Sequence, residues 1–205
     1  MKILSLQLIL IFLFAGWING QEEKIPIKEL NYSKDLKIIK RSQWGWNPLI
    51  KKKDEAKITK ITIHHGGVEF TKDKDPIEAL RNLQQWSREE KDWIDIPYHF
   101  MIDLDGEIYE ARPINYPGDT NTEYDPTGHA LIEIIGNYEI QTLSKNQLNS
   151  LIKLTAFLAR DFKVSVSDIK THKDYSKKTV CPGKNIYKYF QDSTIVKAVK
   201  ERLEK

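Results

Sequence analysis

One histidine and the single cysteine of this chain lie near its C-terminal end, in the stretch THKDYSKKTVCPG, with residues 173–180 between His172 and Cys181. Both side chains can bind a metal, the imidazole through a ring nitrogen and the cysteine through its sulfur, and zinc takes both kinds of ligand. The spacing alone is weak support for a metal site, because such pairs also arise by chance. The simpler interpretation is a small buried thiol and a surface imidazole.

A further candidate ligand lies at the end of a predicted strand. The segment KITKITIHH alternates polar and apolar residues, which predicts a β-strand that ends near His65. Successive side chains of a strand point to opposite faces, so only one of His64 and His65 can face a given metal. His65 shares its face with Ile61 and Ile63. If that face is the core, His64 is the better ligand.

Helix signals follow this strand and recur later in the chain. Asp75 before Pro76 predicts a helix start, and the helix is expected to run to about Glu90. Ser144 and Gln147 form a predicted capping box ahead of apolar residues at helical spacing. A terminal amphipathic helix is predicted in STIVKAVKERLEK.

Strand signals alternate with these helices. Asp105-Gly106 inside PYHFMIDLDGEIYEARP predicts a hairpin, because this pair accepts the backbone conformation of a tight turn. A long loop is expected over residues 113–128, and the apolar segment HALIEIIGNYE reads as a further strand. The pattern predicts one α/β domain over residues 38–205, with a central mixed sheet flanked by helices.

The N-terminus has the pattern of a secretory signal. Residues 1–20 combine a short basic start, an apolar run from Ile3 to about Ile18, and small residues near Gly20, where cleavage is expected. The run is short for a membrane span of about 20 residues, although an uncleaved anchor stays an alternative. We therefore expect a periplasmic or extracellular protein without further membrane domains. Residues 21–37 are polar and predict an arm outside the core.

Composition narrows the class of protein. The 205 residues are 40% hydrophobic and 10% aromatic, which fits one globular domain, and the net charge of +3 does not favour nucleic-acid binding. A lone cysteine cannot form an intramolecular disulfide. In an exported protein it is then an intermolecular disulfide partner, an inert buried thiol, a metal ligand, or a nucleophile, in this case Cys181 with His172 as its base.

Five segments in order carry a family resemblance: RSQWG, ITIHHGG, PYHFMIDLDGEIYEARP, IIGNYE and THKDYSKKTVCPG. Together they resemble the zinc-dependent N-acetylmuramoyl-L-alanine amidases of the bacteriophage lysozyme type and the peptidoglycan recognition proteins that share their fold. The resemblance runs from about Ile39 to about Phe190. It implies an enzyme that uses Zn²⁺ to hydrolyse the amide between N-acetylmuramic acid and L-alanine in peptidoglycan or its fragments. The alternative is a recognition protein that binds peptidoglycan without cutting it.

The resemblance also implies roles for individual residues. His64, His172 and Cys181 match the family's zinc ligands, and Tyr98 matches a tyrosine that assists catalysis beside the metal. Non-catalytic relatives are expected to lose a ligand, commonly the cysteine. Because this chain keeps all three ligands and the tyrosine, the enzyme is the favoured interpretation.

Two further positions follow less directly from the resemblance. Thr179 occupies the place of a Lys or Thr that lines the family's site. The segment before the cysteine is one residue longer than is common, so Lys177 or Lys178 could reach the same space. In the loop after the hairpin, Thr120 stands near the place of a histidine that the family often carries, and we expect it to contact substrate.

Other side chains have a functional and a structural interpretation. Trp44 could line a groove for sugar or peptide, or close the core. Arg112 could pair with a substrate carboxylate or form a structural salt bridge. His129 could contact substrate or anchor a loop. Glu133, inside an apolar strand, is a candidate general base, although a solvent-facing position is the simpler expectation.

Three residues are predicted to be structural. His99 alternates with Tyr98 along a strand and should face the opposite side. Trp86 and Trp93 bracket the end of the first long helix, and we expect both to pack against it.

Overall fold

A computed structural model describes residues 25–205, so the predicted signal segment lies outside the described residues. The strands are β1 (Ile38–Ile39), β2 (Lys60–His65), β3 (Phe100–Ile102), β4 (Ile108–Glu110), β5 (His129–Ile134) and β6 (Ile169–Thr171). The helices are α1 (Arg41–Trp44), α2 (Pro76–Lys91), α3 (Lys145–Phe162), α4 (His172–Tyr175), α5 (Lys184–Gln191) and α6 (Thr194–Leu203), with a 3-10 turn at Val166–Asp168.

All six strands form one sheet in the order β1-β4-β3-β5-β2-β6. β3 and β4 are antiparallel and joined by the predicted turn, where Gly106 adopts a φ of +86° that favours glycine. The other neighbouring strands pair in parallel. The single α/β domain with a central mixed sheet is therefore confirmed.

The two faces of the sheet are covered differently. In the parallel register of β2 and β5, Ile61 lies opposite Ala130 and Ile63 opposite Ile132, and these side chains belong to the main core with α3 and α6. The opposite face is covered by α1, α2 and the connections around them. Its smaller core consists of Trp44, Phe70, Leu80, Ile96, Met101, Tyr109, Ala111 and Ile135.

The predicted helix caps are present. The Asp75 side chain accepts a hydrogen bond from the backbone N–H of Ile77 at 2.8 Å, and α2 ends one residue beyond the predicted Glu90. Ser144 Oγ accepts from the N–H of Gln147 at 3.2 Å, while Gln147 Oε1 accepts from the N–H of Ser144 at 3.1 Å. Both helices therefore start where side chains satisfy their free N–H groups. Among the residues described, no helix combines the length and apolar character needed to cross a bilayer.

The segment before β1 differs from the predicted polar arm. Leu30 and Leu36 are buried in the main core, and the Tyr32 ring contacts Phe100 edge-on. The Tyr32 hydroxyl donates a hydrogen bond to the buried Glu110 carboxylate at 2.6 Å. Two leucines and one tyrosine at irregular spacing thus help to hold a largely polar segment against the domain.

Hydrogen bonds also tie this segment to the chain just after β4. The N–H of Lys28 donates to Asn115 Oδ1 at 3.0 Å, and the Asn115 side-chain amide donates to the carbonyl of Pro26 at 3.1 Å. The Tyr116 hydroxyl donates to the same carbonyl at 2.8 Å. The segment therefore lies across the start of the long loop that joins β4 to β5.

Candidate metal centre and cleft

The strands at the middle of the sheet position the first candidate ligand. The register of β2 and β5 places His64 beside Glu133, on the face opposite the main core. His65 points to the other face, where its Nδ1 accepts a hydrogen bond from the N–H of Tyr138 at 3.0 Å. The alternation that favours His64 as the ligand therefore agrees with the geometry.

His172 and Cys181 reach the same place from the neighbouring strand. β6 pairs in parallel with β2, and His172 follows β6 directly as the first residue of α4. The N–H of Lys173 donates to the carbonyl of Cys181 at 2.9 Å, which folds the loop between them back on itself. Cys181 Sγ then accepts from the N–H of His65 at 3.3 Å.

These three side chains form a compact cluster. One potential ligand atom from each of His64, His172 and Cys181 lies within 4.8 Å of the other two. Cys181 Sγ is 3.6 Å from His64 Nδ1, and the two imidazole rings are 4.6 Å apart between centroids. All three residues are buried, and no second cluster of this kind occurs within residues 25–205.

Burial sets the protonation of the cluster. It lowers the pKa of His64 well below the usual value, with His172 adding to the effect, and lowers the pKa of His172 to about 4. Burial also raises the pKa of the Cys181 thiol to about 12. Two neutral imidazoles with free lone pairs and one cysteine match a donor set of catalytic zinc sites, and zinc takes the cysteine as the thiolate by displacing its proton, so these residues fit the metal.

Tyr98 lies next to the cluster, and His99 does not. The rings of Tyr98 and His64 are 5.2 Å apart between centroids. Burial, with the nearby Glu133 adding to it, raises the pKa of Tyr98 well above its usual value, so the hydroxyl keeps its proton. His99 faces away, since its Nε2 lies 2.9 Å from the carbonyl oxygen of Tyr116 and its Nδ1 accepts from the N–H of Leu131 at 2.9 Å. The structural role predicted for His99 agrees with these contacts.

Glu133 is buried rather than solvent-facing. It is 3% exposed, and its Oε2 has no hydrogen-bond partner among the described residues. Burial raises the pKa of this carboxyl to about 8. Gly66 makes room for the side chain, because a Cβ at that position would lie 2.6 Å from Glu133 Oε1. The simpler expectation was wrong because a parallel strand in the middle of a sheet is covered on both faces.

A cleft of about 310 Å³ opens above the cluster and is lined by both Tyr98 and Glu133. Its lining includes Leu83, Trp86, Trp93 and Pro97. The two tryptophan rings meet edge to face with centroids 5.9 Å apart, and Trp86 remains 39% exposed. The packing role predicted for this pair is thus incomplete, because the same contact leaves both rings on the wall of a cleft.

Residues 119–122, including Thr120, also line the cleft. Thr179 also lines the cleft, and its Oγ1 accepts a hydrogen bond from the N–H of Cys181 at 3.1 Å. Lys177 and Lys178 are exposed and do not line this cleft. The threonine is therefore better placed than either lysine to act beside the cluster.

Three predicted substrate contacts lie elsewhere. Trp44 is fully buried, and its Nε1 donates to the carbonyl of Glu110 at 2.6 Å, so it closes the smaller core. Arg112 is 0% exposed and donates to Asp119 Oδ2 at 2.5 Å, which makes it a structural ion pair. His129 is buried, with other aromatic side chains around it. None of the three lines the cleft, because the polar or aromatic atoms of each side chain contact other groups inside the protein.

Two polar contacts of the cluster were missed by sequence reasoning. Thr122 Oγ1 lies 2.7 Å from His172 Nε2, and the Tyr124 hydroxyl lies 3.2 Å from His64 Nε2. Both residues belong to the long loop between β4 and β5. That loop has no period and no motif, so no local signal distinguishes them from their neighbours.

The sequence profile of N-acetylmuramoyl-L-alanine amidases matches residues 54–184, the span that contains the whole cluster. The chain belongs to this amidase family. It is similar to peptidoglycan-recognition protein SC2 of Drosophila melanogaster, with 31% identity over 153 residues that cover 73% of this chain and 82% of that protein.

Solved structures of the family are also similar. Peptidoglycan recognition protein-LE, in complex with tracheal cytotoxin, a monomeric diaminopimelic acid-type peptidoglycan, superposes with a TM-score of 0.67 and 25% identity over 76% of this chain and 93% of that one. The N-acetylmuramoyl-L-alanine amidase LysC from Clostridium intestinale URNW has a TM-score of 0.62 and 24% identity over 77% of this chain and 97% of its own, a likeness in fold.

Proposed function

We propose that this amidase-family chain is a zinc-dependent N-acetylmuramoyl-L-alanine amidase. It hydrolyses the amide between the lactyl group of N-acetylmuramic acid and L-alanine in peptidoglycan or its fragments. The observation that carries the proposal is the meeting of His64, His172 and Cys181 within 4.8 Å, in a cleft that Tyr98 and Glu133 also line.

Amides resist hydrolysis because the carbonyl is a poor electrophile and neutral water is a poor nucleophile. His64, His172 and Cys181 would hold the Zn²⁺ ion, which when bound would supply a Lewis acid that lowers the pKa of water and polarises a carbonyl. The three side chains would supply the number of protein ligands that catalytic zinc sites take.

Tyr98 and Thr179 act on the carbonyl oxygen in this proposal. The Tyr98 hydroxyl keeps its proton and lines the cleft beside His64, so it can donate a hydrogen bond to the oxygen as negative charge develops there. Thr179 lines the same cleft and assists that charge from the side of Cys181.

Glu133 moves the proton. Its carboxylate lines the cleft, is surrounded by protein, and has an oxygen without a partner among the described residues. With its pKa raised to about 8, Glu133 is ionised in only a minor fraction at pH 7, and that ionised form accepts the proton that the attacking water loses as the C–O bond forms. It then returns a proton to the α-amino nitrogen of L-alanine as the C–N bond breaks. The products are the lactyl carboxylate and a peptide with a free N-terminus.

Peptidoglycan or a soluble muropeptide is the proposed substrate. The family relatives are named for peptidoglycan recognition, and one was solved with a muropeptide. The cleft offers aromatic rings at Trp86 and Trp93 and a hydroxyl at Thr120, groups that suit sugars and peptides. Export through the signal segment would bring the protein to this polymer in the periplasm or outside the cell.

The second candidate is a recognition protein that binds peptidoglycan without cutting it. The observation in its favour is that several similar proteins carry that name. The retained ligand set and Tyr98 favour the enzyme.

The deciding experiment uses purified mature protein and insoluble peptidoglycan. Incubations with a chelator, without it, and with zinc restored after chelation are analysed by mass spectrometry for free peptides that begin with L-alanine. We expect release that stops with the chelator and returns with zinc. If the protein binds peptidoglycan but the peptides stay attached to the glycan in every incubation, the protein is a recognition protein instead. Release that resists the chelator but stops on thiol alkylation would establish a cysteine hydrolase.

A further inference from the structure

The loop between β4 and β5 touches a ring nitrogen of both histidines in the cluster. The Tyr124 hydroxyl lies 3.2 Å from His64 Nε2, and Thr122 Oγ1 lies 2.7 Å from His172 Nε2. In each case the contact is with Nε2. The two hydroxyls come from positions two residues apart in one loop.

In His64, the ring nitrogen that the loop does not contact faces the sulfur of Cys181. Its Nδ1 lies 3.6 Å from Cys181 Sγ, while Nε2 is turned to Tyr124. In His172, Thr122 contacts Nε2, so Nδ1 is the ring nitrogen that remains available to bind a metal. The same ring nitrogen is then the ligand atom in both histidines.

Ion pairs and hydrogen bonds hold the loop in this position on both sides of Thr122. Before it, Asp119 Oδ2 accepts a hydrogen bond from Arg112 at 2.5 Å, and the same guanidinium donates to carbonyls of residues 95 and 96 at 2.7 Å each. After it, Glu123 Oε2 accepts from Ser176 Oγ at 3.0 Å. These contacts fix the loop to residues 95 and 96, shortly before Tyr98, and to Ser176 at the end of α4.

Tyr124 and Thr122 are also held individually. The Tyr124 ring stacks on Tyr175 of α4 with centroids 5.6 Å apart and an interplanar angle of 19°. Thr122 Oγ1 lies 3.0 Å from Thr120 Oγ1, and the N–H of Thr122 donates to the same oxygen at 3.2 Å. The two hydroxyls therefore have defined positions toward the histidines.

A metal on Nδ1 leaves the proton on Nε2, and a group that accepts this N–H fixes the tautomer and the ring orientation. A threonine or tyrosine hydroxyl oxygen can accept such a bond. We propose that Thr122 and Tyr124 are positioning residues of the metal centre, which accept hydrogen bonds from the Nε2–H groups of His172 and His64 and so hold Nδ1 of both rings toward Cys181. This inference rests on the proposed zinc site.

Zinc affinity of the full mature chain tests the proposal without any activity measurement. Zinc dissociation constants are measured by competition with a chromophoric chelator for the wild type, Thr122→Val and Tyr124→Phe. Each variant removes one hydroxyl and is expected to bind zinc roughly 10-fold more weakly. The matched controls are Thr142→Val, at an exposed position outside the loop, and Tyr189→Phe, which packs on the core. Both controls should bind zinc like the wild type.

Long-range proton–nitrogen NMR of the wild-type imidazoles, with and without zinc, shows which ring nitrogen carries the proton and which binds the metal. We expect protonated Nε2 and metal-bound Nδ1 for both His64 and His172. This measurement needs no variant, so it tests the positioning role even if a substitution disturbs folding.

The outcomes separate the two proposals. If the wild type binds zinc, but both variants bind it as tightly as the controls or the NMR places zinc on Nε2, the positioning role is overturned and the zinc site stands. If the wild type does not bind zinc at all, the proposed function fails and the positioning role fails with it.

Discussion

His64 and Glu133 occupy paired positions on the adjacent parallel strands β2 and β5, so an imidazole and a carboxyl group share one face of the sheet and both line the cleft. The pair places a candidate metal ligand next to a candidate proton acceptor. Because both residues lie on central strands, their separation is set by the backbone and does not depend on a mobile segment.

The substitution Glu133→Gln keeps the size of this side chain and removes its ability to take a proton. If Glu133 is the proton acceptor, kcat for release of L-alanine peptides should fall by about 10²-fold or more, while the zinc dissociation constant changes little. Steady-state kinetics and zinc competition measure the two quantities. Glu107→Gln, at an exposed position of the hairpin, is the matched control. Nearly full activity of E133Q would exclude the role.

The substitution Tyr98→Phe removes one hydroxyl from the cleft. A donor to a developing oxyanion acts in the transition state, so we expect kcat to fall by roughly 10²-fold with KM and zinc affinity nearly unchanged. Tyr189→Phe again serves as the control. A rise in KM with unchanged kcat would instead make Tyr98 a substrate-binding group.

Zinc should stabilise the folded chain through the three clustered side chains. A ligand that binds only the folded state raises the free energy of unfolding, by about 2.7 kcal/mol when its free concentration is 100 times the dissociation constant. Thermal unfolding of metal-free protein with added zinc should show this rise. Mg²⁺ should not produce it, because that ion prefers oxygen ligands. In Cys181→Ser the zinc-induced rise should shrink strongly, and a variant with the full rise would count against the sulfur as a ligand.

Arg112 should matter for stability more than for substrate binding. Its guanidinium is 0% exposed and bonds Asp119 and three backbone carbonyls, so Arg112→Gln leaves these acceptors unpaired and should lower the free energy of unfolding by about 3 kcal/mol. Urea denaturation measures this loss. The control is Lys51→Gln, which breaks the exposed ion pair with Asp92 and should leave the free energy of unfolding nearly unchanged. A stable R112Q protein with a raised KM would restore the substrate-carboxylate interpretation.

The candidate ligand on β2 could be predicted from the sequence because alternation along a strand is a local rule. His64 and His65 differ by one position, and that difference alone decides which face each side chain takes. The helix caps at Asp75 and Ser144 were predictable for the same reason, since the capping side chain lies within three residues of the N–H groups that it satisfies.

The burial of Glu133 and the support from the loop could not be predicted in this way. The sequence does not say whether a strand lies at the edge or in the middle of a sheet, and that decides whether a glutamate on it meets solvent. Thr122 and Tyr124 lie 50 and 60 positions from the histidines that they contact. Such contacts depend on how strands assemble, and they leave no periodic trace in the loop.

Trp44 and Arg112 show a related limit. Their residue types suit a binding groove, but each finds a buried acceptor close at hand in the folded chain. The short elements α5 and β6 also had no local signal in the sequence. They contain neither a capping box nor a long alternating run, and packing against the rest of the domain stabilises them.

The segment from Pro26 to Leu36 has a practical consequence for where the folding unit begins. It contributes leucines to the core and hydrogen bonds to Asn115 and Tyr116, at the root of the loop that carries Thr122 and Tyr124. A recombinant fragment that starts at Ile38, where the first strand begins, would lose these contacts. The loss would be felt most by residues 119–122 of the same loop, which line the cleft, although none of them had been removed.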